Sequence, residues 1–238
     1  MRKVIVGLLM FLMLPMMAQA LTHEEALGHL KSISFPLYGK EIEQGRQCVG
    51  WNALASQSGE IAFYISAGHC ENSYYHVGDR GELLNFPLLA KVNDDGRYEF
   101  LYTIKPVCNK ATQAYLSLSV KIDQTKSFFT LAQTSGTERF EKVGVVELRY
   151  LRDDPKLGLV FDMVCPAGGC KQLPSKGLSG SPIIDEDLNV VALMKGAHPM
   201  EPDHPLGTEL APILPFLKSV ASTNSRINHS RYCTGPSQ

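Results

Sequence analysis

No cluster of basic residues interrupts this 238-residue chain, in which 23 Lys and Arg stand against 24 Asp and Glu. Without such a block a nucleic-acid partner is not expected. Internal repeats, low-complexity tracts and long linkers are absent too. Beyond residue 20 there is no long apolar run. The one such run lies in "MRKVIVGLLMFLMLPMMAQA", residues 1–20, and is short for a membrane span. It starts with Arg2 and Lys3 and ends in Ala18-Gln19-Ala20, the charged, apolar, small-residue order of a secretory signal peptide. Cleavage after Ala20 is expected, leaving Leu21–Gln238 with no stable membrane anchor, either secreted or periplasmic. A chain of this length buries a sizeable core and suits one large all-β domain or two small ones.

Also missing is a second close pair of Cys or His at metal-ligand spacing, so neither a metal nor another cofactor is expected. Six cysteines are present, at 48, 70, 108, 165, 170 and 233, and in an exported chain they suggest disulfides. Cys165 and Cys170 enclose "PAGG" and close a small loop if their Cα atoms come within reach.

Thr22 and Glu25 form a capping-box signature, and Ala26, Leu30 and Ile33 follow at helical spacing. After Pro36 the texture turns to short strands rich in β-branched and aromatic residues: 61–65, 88–92, 98–104, 143–148, 157–164 and 189–194. Residues 115–122 alternate strictly, Asp95-Gly96 signals a hairpin, and Pro215 opens a short helix to about Ala221. Many short strands with little helix predict a barrel or sandwich.

Two stretches carry chemistry. "YISAGHC", Tyr64–Cys70, is an apolar strand that ends in small residues and then presents His69 where strand gives way to loop. Cys48 lies about one hairpin upstream, and a Cys48–Cys70 bridge would pin the end of the histidine's strand to its neighbour. "KGLSGSPII", Lys176–Ile184, sets Ser179 between two glycines ahead of a proline and an apolar strand. Glycines suit a backbone that must turn tightly and approach a substrate. The order is histidine, then serine, as in one triad architecture.

"SAGHC" resembles the "TAAHC" motif of the chymotrypsin-like (trypsin-like) serine proteases, and "GLSGSP" resembles their "GDSGGP" or "GNSGSP"; the likeness covers roughly residues 45–220. It implies two six-stranded antiparallel β-barrels packed face to face with a cleft between them, flanked by short terminal helices. After the 1–20 signal peptide would come a helical segment, 21–36, that is a possible prosegment. An N-terminal barrel at 37–125 would carry His69, and a C-terminal barrel at 126–238 would carry Ser179. The resemblance further implies pairing Cys108 with Cys233, which leaves Cys165 with Cys170. In role, Ser179 would attack an acyl carbon, His69 would move its proton, and the Gly177 and Ser179 N–H groups would form the oxyanion hole.

The chain departs from the family pattern at the triad acid. One register puts Glu99 there, thirty residues after His69; another puts Leu116 there, and then no acid is present. Leu178 stands where trypsin-type zymogens carry an aspartate before the serine, and no "IVGG"-like start precedes Cys48. Activation by a buried N-terminal ammonium is therefore excluded. The expected specificity wall comprises Leu173, Pro174, Met194, Lys195 and Gly196, with no acid at its base, so cleavage after Arg or Lys is not supported. His198 falls near that wall but off the histidine position of glutamate-specific relatives, and His23, His29, His76, His204 and His229 read as solvated surface.

The expected function is that of a monomeric, exported serine endopeptidase acting on protein or peptide substrates through an acyl-enzyme. The alternative is a catalytically silent protein of the same fold, a binding module without a proper triad acid. An esterase elbow is disfavoured, because Ser181 replaces the final glycine of G-x-S-x-G and the histidine comes first.

Overall fold

The computed structural model describes residues 21–38, 46–54, 61–70, 74–77, 82–84, 90–94, 98–106, 122–133, 140–167, 169, 177–210 and 213–223. The leader at 1–20, all but the last residue of the strand expected at 115–122, and Cys108, Cys170 and Cys233 lie outside them.

Local signals set the first element. The Thr22 hydroxyl accepts the Glu25 N–H (3.2 Å), and the Glu25 carboxylate accepts the Thr22 N–H (2.9 Å) at the start of α1 (His23–Ile33). This reciprocal cap satisfies donors that the first turn cannot bond internally. The Thr22 hydroxyl also donates to that carboxylate, and these bonds hold the Glu25 carboxyl below its ordinary value. The helix buries Ala26, Leu30 and Ile33, the stripe read from the sequence.

The helix stops at Ile33, short of the expected Pro36, because β1 (Ser34–Tyr38) begins directly after it. Pro36 lies inside that strand, which runs between β2 (Arg46–Leu54) and β4 (Tyr74–Val77). Only Leu37 and Tyr38 pair with β4, so the proline's missing N–H costs no rung on that side. With β3 (Ile61–Ala67), β5 (Glu82–Leu84), β6 (Ala90–Asp94) and β7 (Tyr98–Pro106), these strands make a seven-stranded antiparallel sheet ordered β5-β4-β1-β2-β3-β7-β6. The β6–β7 hairpin brings Asp94 opposite Tyr98, around the expected Asp95-Gly96 turn.

The second half holds β8 (Ser127–Ala132), β9 (Gly144–Asp154), β10 (Gly158–Val164), β11 (Pro182–Asp185), β12 (Val190–Ala197) and β13 (Pro205–Glu209). They close into a six-stranded barrel, β10-β13-β12-β11-β8-β9. A short helix, α2 (Leu214–Thr223), follows. The expected all-β, chymotrypsin-like arrangement is present, with a closed six-stranded barrel and two short helices. Among the described residues the first half is a sheet whose edge strands, β5 and β6, do not meet, because β1 enters its middle and β5 extends it.

Alternation along β8 distributes the core. Phe128 and Ala132 point into the barrel beside Leu148, Phe161 and Ile183, while Phe129 and Leu131 face the other half. That second core is shared: Ile33 of α1, Trp51, Phe63 and Ile65 of the sheet, and Leu193 and Leu217 of the C-terminal half belong to one buried cluster. Side chains as large as Trp51 and Phe63 each gain about 2 kcal/mol from leaving water. The helices are crossed between the halves. α1 packs on β8 and β9 of the barrel, with the His23 ring edge-on to Phe129. Phe216 of α2 packs on Phe100 and Tyr102 of β7.

Candidate active site

Between the shared core and solvent lies the turn Gly177–Ser181. Gly177 and Gly180 have φ of +92° and +89°, a region that side chains with a Cβ rarely enter. The Gly180 N–H donates to the Met194 carbonyl (2.7 Å), the Met194 N–H to the Ser181 carbonyl (2.7 Å), and the Ser181 N–H to the Leu178 carbonyl (3.0 Å). Leu178 is wholly buried, so the side chain preceding the serine anchors the turn in apolar surroundings. The Ser179 hydroxyl donates to the Lys195 carbonyl at 3.4 Å.

The same turn rests on the other half of the molecule. A Cβ at Gly180 would lie 2.2 Å from the Val49 carbonyl oxygen, 2.5 Å from Ser66 Oγ and 2.9 Å from the Ala67 nitrogen. Only glycine allows that approach. The Val49 N–H donates to the Ser179 carbonyl (2.8 Å), and the Val49 carbonyl accepts the buried Ser66 hydroxyl (2.8 Å).

His69 leaves the end of β3 on a one-turn 3₁₀ helix, Gly68–Cys70, with both neighbours buried and its own side chain exposed. Cys70 is joined to Cys48 of β2, with Cα atoms 6.1 Å apart, the bridge read from the sequence. Cys70 Sγ lies 3.9 Å from the Ser179 carbonyl oxygen, and a His69 ring nitrogen lies within 4.8 Å of both sulfurs. Histidine turn and serine turn are therefore neighbours, joined through Val49 and Cys70. The three donors Cys48, His69 and Cys70 are close enough to ligate a metal, but the two sulfurs are bonded to each other rather than present as thiolates.

β7 runs against the histidine turn, and its backbone puts Glu99 opposite Asn93 and Phe100 opposite Ala67. Phe100 is fully buried. Leu116, Leu173 and Pro174 fall outside the described residues. Cys165 is disulfide-bonded, and the cysteines expected to pair with it and with each other are likewise outside. On the specificity wall Met194 is buried and Lys195 donates its ammonium to the Leu157 carbonyl (3.3 Å). Two positions at the turn escaped the sequence reading, the Lys195 carbonyl and the Val49 backbone. Both act through the main chain, so no residue type marks them.

No family model matches the chain, and no curated protein matches its sequence. Solved structures do match. Kallikrein-related peptidase 10 superposes with a TM-score of 0.57 at 17% identity, over 82% of this chain and 98% of that one. The fold is chymotrypsin-like. Other chymotrypsin-like structures align as well. A serine endoprotease from Yersinia pestis matches at TM-score 0.55 and 7% identity, over 84% of this chain and 67% of that one. An inactivated protease paralogue of the scabies mite, S-D1, matches at 0.56 and 13%, over 82% and 94%. Within this fold, the turns that carry Ser179 and His69 come from opposite halves of the molecule and lie side by side where those halves join. Among the described residues no helix is long and apolar enough to cross a membrane.

Proposed function

We propose that the protein is an exported serine endopeptidase that cleaves peptide bonds through an acyl-enzyme on Ser179. The observation that carries this reading is the seat of Gly180 against Val49, Ser66 and Ala67, which locks the serine turn onto the strand end that bears His69. Ser179 Oγ attacks the scissile carbonyl carbon while His69 accepts its proton. His69 then gives that proton to the departing amine, and water repeats the cycle on the ester. The Gly177 and Ser179 N–H groups take up the oxyanion, where loss of one donor raises the barrier by about 3 kcal/mol. Glu99, at the β7 end beside the histidine turn, accepts the second ring N–H of His69 and fixes its tautomer.

Nothing in this scheme waits for a proteolytic cut. Leu178 offers no carboxylate to a new N-terminus, and α1 with β1 belongs to the folded domain: Ala26, Leu30 and Ile33 are at most 1% exposed, and β1 lies inside the sheet. Residues 21–36 are retained in this reading rather than shed as a prosegment. Disulfides Cys108–Cys233 and Cys165–Cys170, a monomeric state, and export after cleavage at Ala20 complete the proposal.

A second reading has one observation in its favour. The residue opposite Ala67 is the buried, apolar Phe100, so a position next to the histidine turn is occupied by a ring rather than an acid. On that reading the protein is a catalytically silent member of the fold that binds peptides. The deciding experiment is fluorophosphonate labelling and peptide hydrolysis by wild type, Ser179→Ala and Glu99→Gln. The endopeptidase reading expects labelling and turnover that vanish in Ser179→Ala and fall by about 10⁴ in Glu99→Gln. Wild-type turnover in Glu99→Gln removes Glu99 from the mechanism. Absence of Ser179-dependent labelling in wild type establishes the silent reading.

A further inference from the structure

β12 ends at Ala197, and residues His198–His204 return the chain to β13. The His198 ring is 6% exposed. Its Nδ1 accepts two backbone N–H groups, from Met200 (3.3 Å) and Glu201 (3.1 Å). Its main chain closes the same loop: the His198 N–H donates to the His204 carbonyl (2.8 Å), and the His198 carbonyl accepts the Glu201 N–H (3.2 Å). A ring nitrogen that accepts carries no proton, so the neutral imidazole holds its hydrogen on Nε2. Nε2 faces Asp154 of β9, with Oδ2 3.9 Å away.

The charged groups around the ring complete the network. From β9, Arg152 pairs with Glu201 of the loop; His204 Nδ1 lies 2.9 Å from the same Glu201 carboxylate. His204 Nε2 faces Asp162 of β10 at 3.8 Å. The N–H groups of Lys156 and Leu157 hold the Asp154 carboxyl below its usual range, and Arg152 and His204 hold Glu201 down to about 2. Both of these carboxylates therefore stay charged over roughly pH 5–8, where imidazoles change charge.

We infer that neutral His198 is a latch that holds residues 198–204 in place beside the Ser179 turn, and that a second proton on this ring releases the loop and with it the grip on substrate. The inference rests on the reading of Ser179 as nucleophile for its catalytic part only. Lys195, whose carbonyl takes the Ser179 hydroxyl, precedes His198 by three residues, on the order of 10 Å of extended chain. A peptide lying along the end of β12 reaches this loop, which presents Met200 at 83% exposure. A proton on Nδ1 would point at two N–H donors, taking the ring acceptor from Met200 and leaving Glu201 only the His198 carbonyl. The attraction to Asp154 grows at the same time and keeps the ring seated. The loop moves, and the histidine stays. His198 is thus a positioning residue, acting on substrate through residues 199–201.

Two replacements separate the latch from mere packing. His198→Asn sets an amide oxygen near the place of Nδ1 and has no proton to gain; His198→Gln reaches toward Asp154 and leaves the Nδ1 place empty. Amide hydrogen exchange at Met200, corrected for the intrinsic rate, is compared at pH 7.5 and pH 5.5. Wild type should lose protection at least tenfold on acidification, His198→Asn should keep it at both values, and His198→Gln should lack it at both. In peptide hydrolysis, KM of wild type should rise about tenfold more than KM of His198→Asn over the same interval. Any pH dependence common to the two cancels in the ratio. Equal wild-type protection at both pH values, or a parallel loss in His198→Asn, overturns the latch. If hydrolysis is absent altogether, the endopeptidase reading falls, while the exchange result still decides the latch.

Discussion

In the barrel, Ser179 sits on a turn held by backbone hydrogen bonds and two left-handed glycines, whereas in the sheet His69 sits beside a disulfide on a single turn of 3₁₀ helix. The barrel closes on itself; among the described residues the sheet does not. Every strand of a closed barrel has two neighbours to fix its ends, and an open sheet leaves edges and strand ends less determined. The covalent link stands at the end of β3, where the strand gives way to the histidine turn. Both halves hold a turn in place, one through geometry that only glycine permits and one through chain entropy.

That contrast can be broken at either end. Gly180→Ala should have the largest effect. Its methyl meets the Val49 carbonyl oxygen at 2.2 Å in a backbone conformation that alanine resists, which predicts a loss on the order of 4 kcal/mol in urea unfolding. A change below about 1 kcal/mol would mean that the two halves separate easily at this contact. Next comes the double replacement Cys48→Ser with Cys70→Ser. A cross-link between residues 22 apart is worth about 3 kcal/mol. Exchange at residues 66–70 should quicken while residues 177–181 hold; equal loosening of both would erase the distinction drawn between the turns.

Smaller effects sharpen the picture away from the site. Thr22→Ala removes the hydroxyl arm of the cap on α1 and should cost about 1 kcal/mol, read as a shift of the urea midpoint. Glu201→Gln should matter least. The folded-state value of Glu201, about 2, lies below its ordinary 4.5. Its contribution to stability is therefore fully present above about 4.5 and is lost as pH falls toward 2. The gap in Tm between wild type and Glu201→Gln should shrink across that interval. A gap independent of pH would show that the charge contributes nothing.

Local signals made much of this legible in the sequence. The capping box and the Ala26, Leu30, Ile33 stripe act over a few residues, and α1 formed where they pointed. The histidine and serine motifs were legible for a related reason, since each packs its constraint into a handful of consecutive side chains. β1 was hidden because Pro36 is a strand breaker in isolation, and only the short overlap with β4 makes it harmless. β8, "SFFTLA", was hidden because both its faces are buried, so its apolar residues run together without alternation. His204 read as solvated surface and His198 only as a neighbour of the specificity wall, because their partners arrive from β9 and β10 or through the main chain. A His-Pro-Met-Glu-Pro run, with a ring acceptor two and three residues before backbone N–H groups, is the one trace the proposed latch leaves in the sequence.

The crossed helices bear on the order of events during folding. α1 is synthesised before the surface it packs against, since β8 begins at Ser127 and the helix ends at Ile33. A helix of 11 residues is marginal alone in water, so it gains little until that surface exists. Contacts so distant along the chain slow the closing steps and leave Ala26, Leu30 and Ile33 uncovered meanwhile. A nascent chain of this kind does not mature from its beginning onward. It remains open to threading or to capture by a chaperone until its second half has been made.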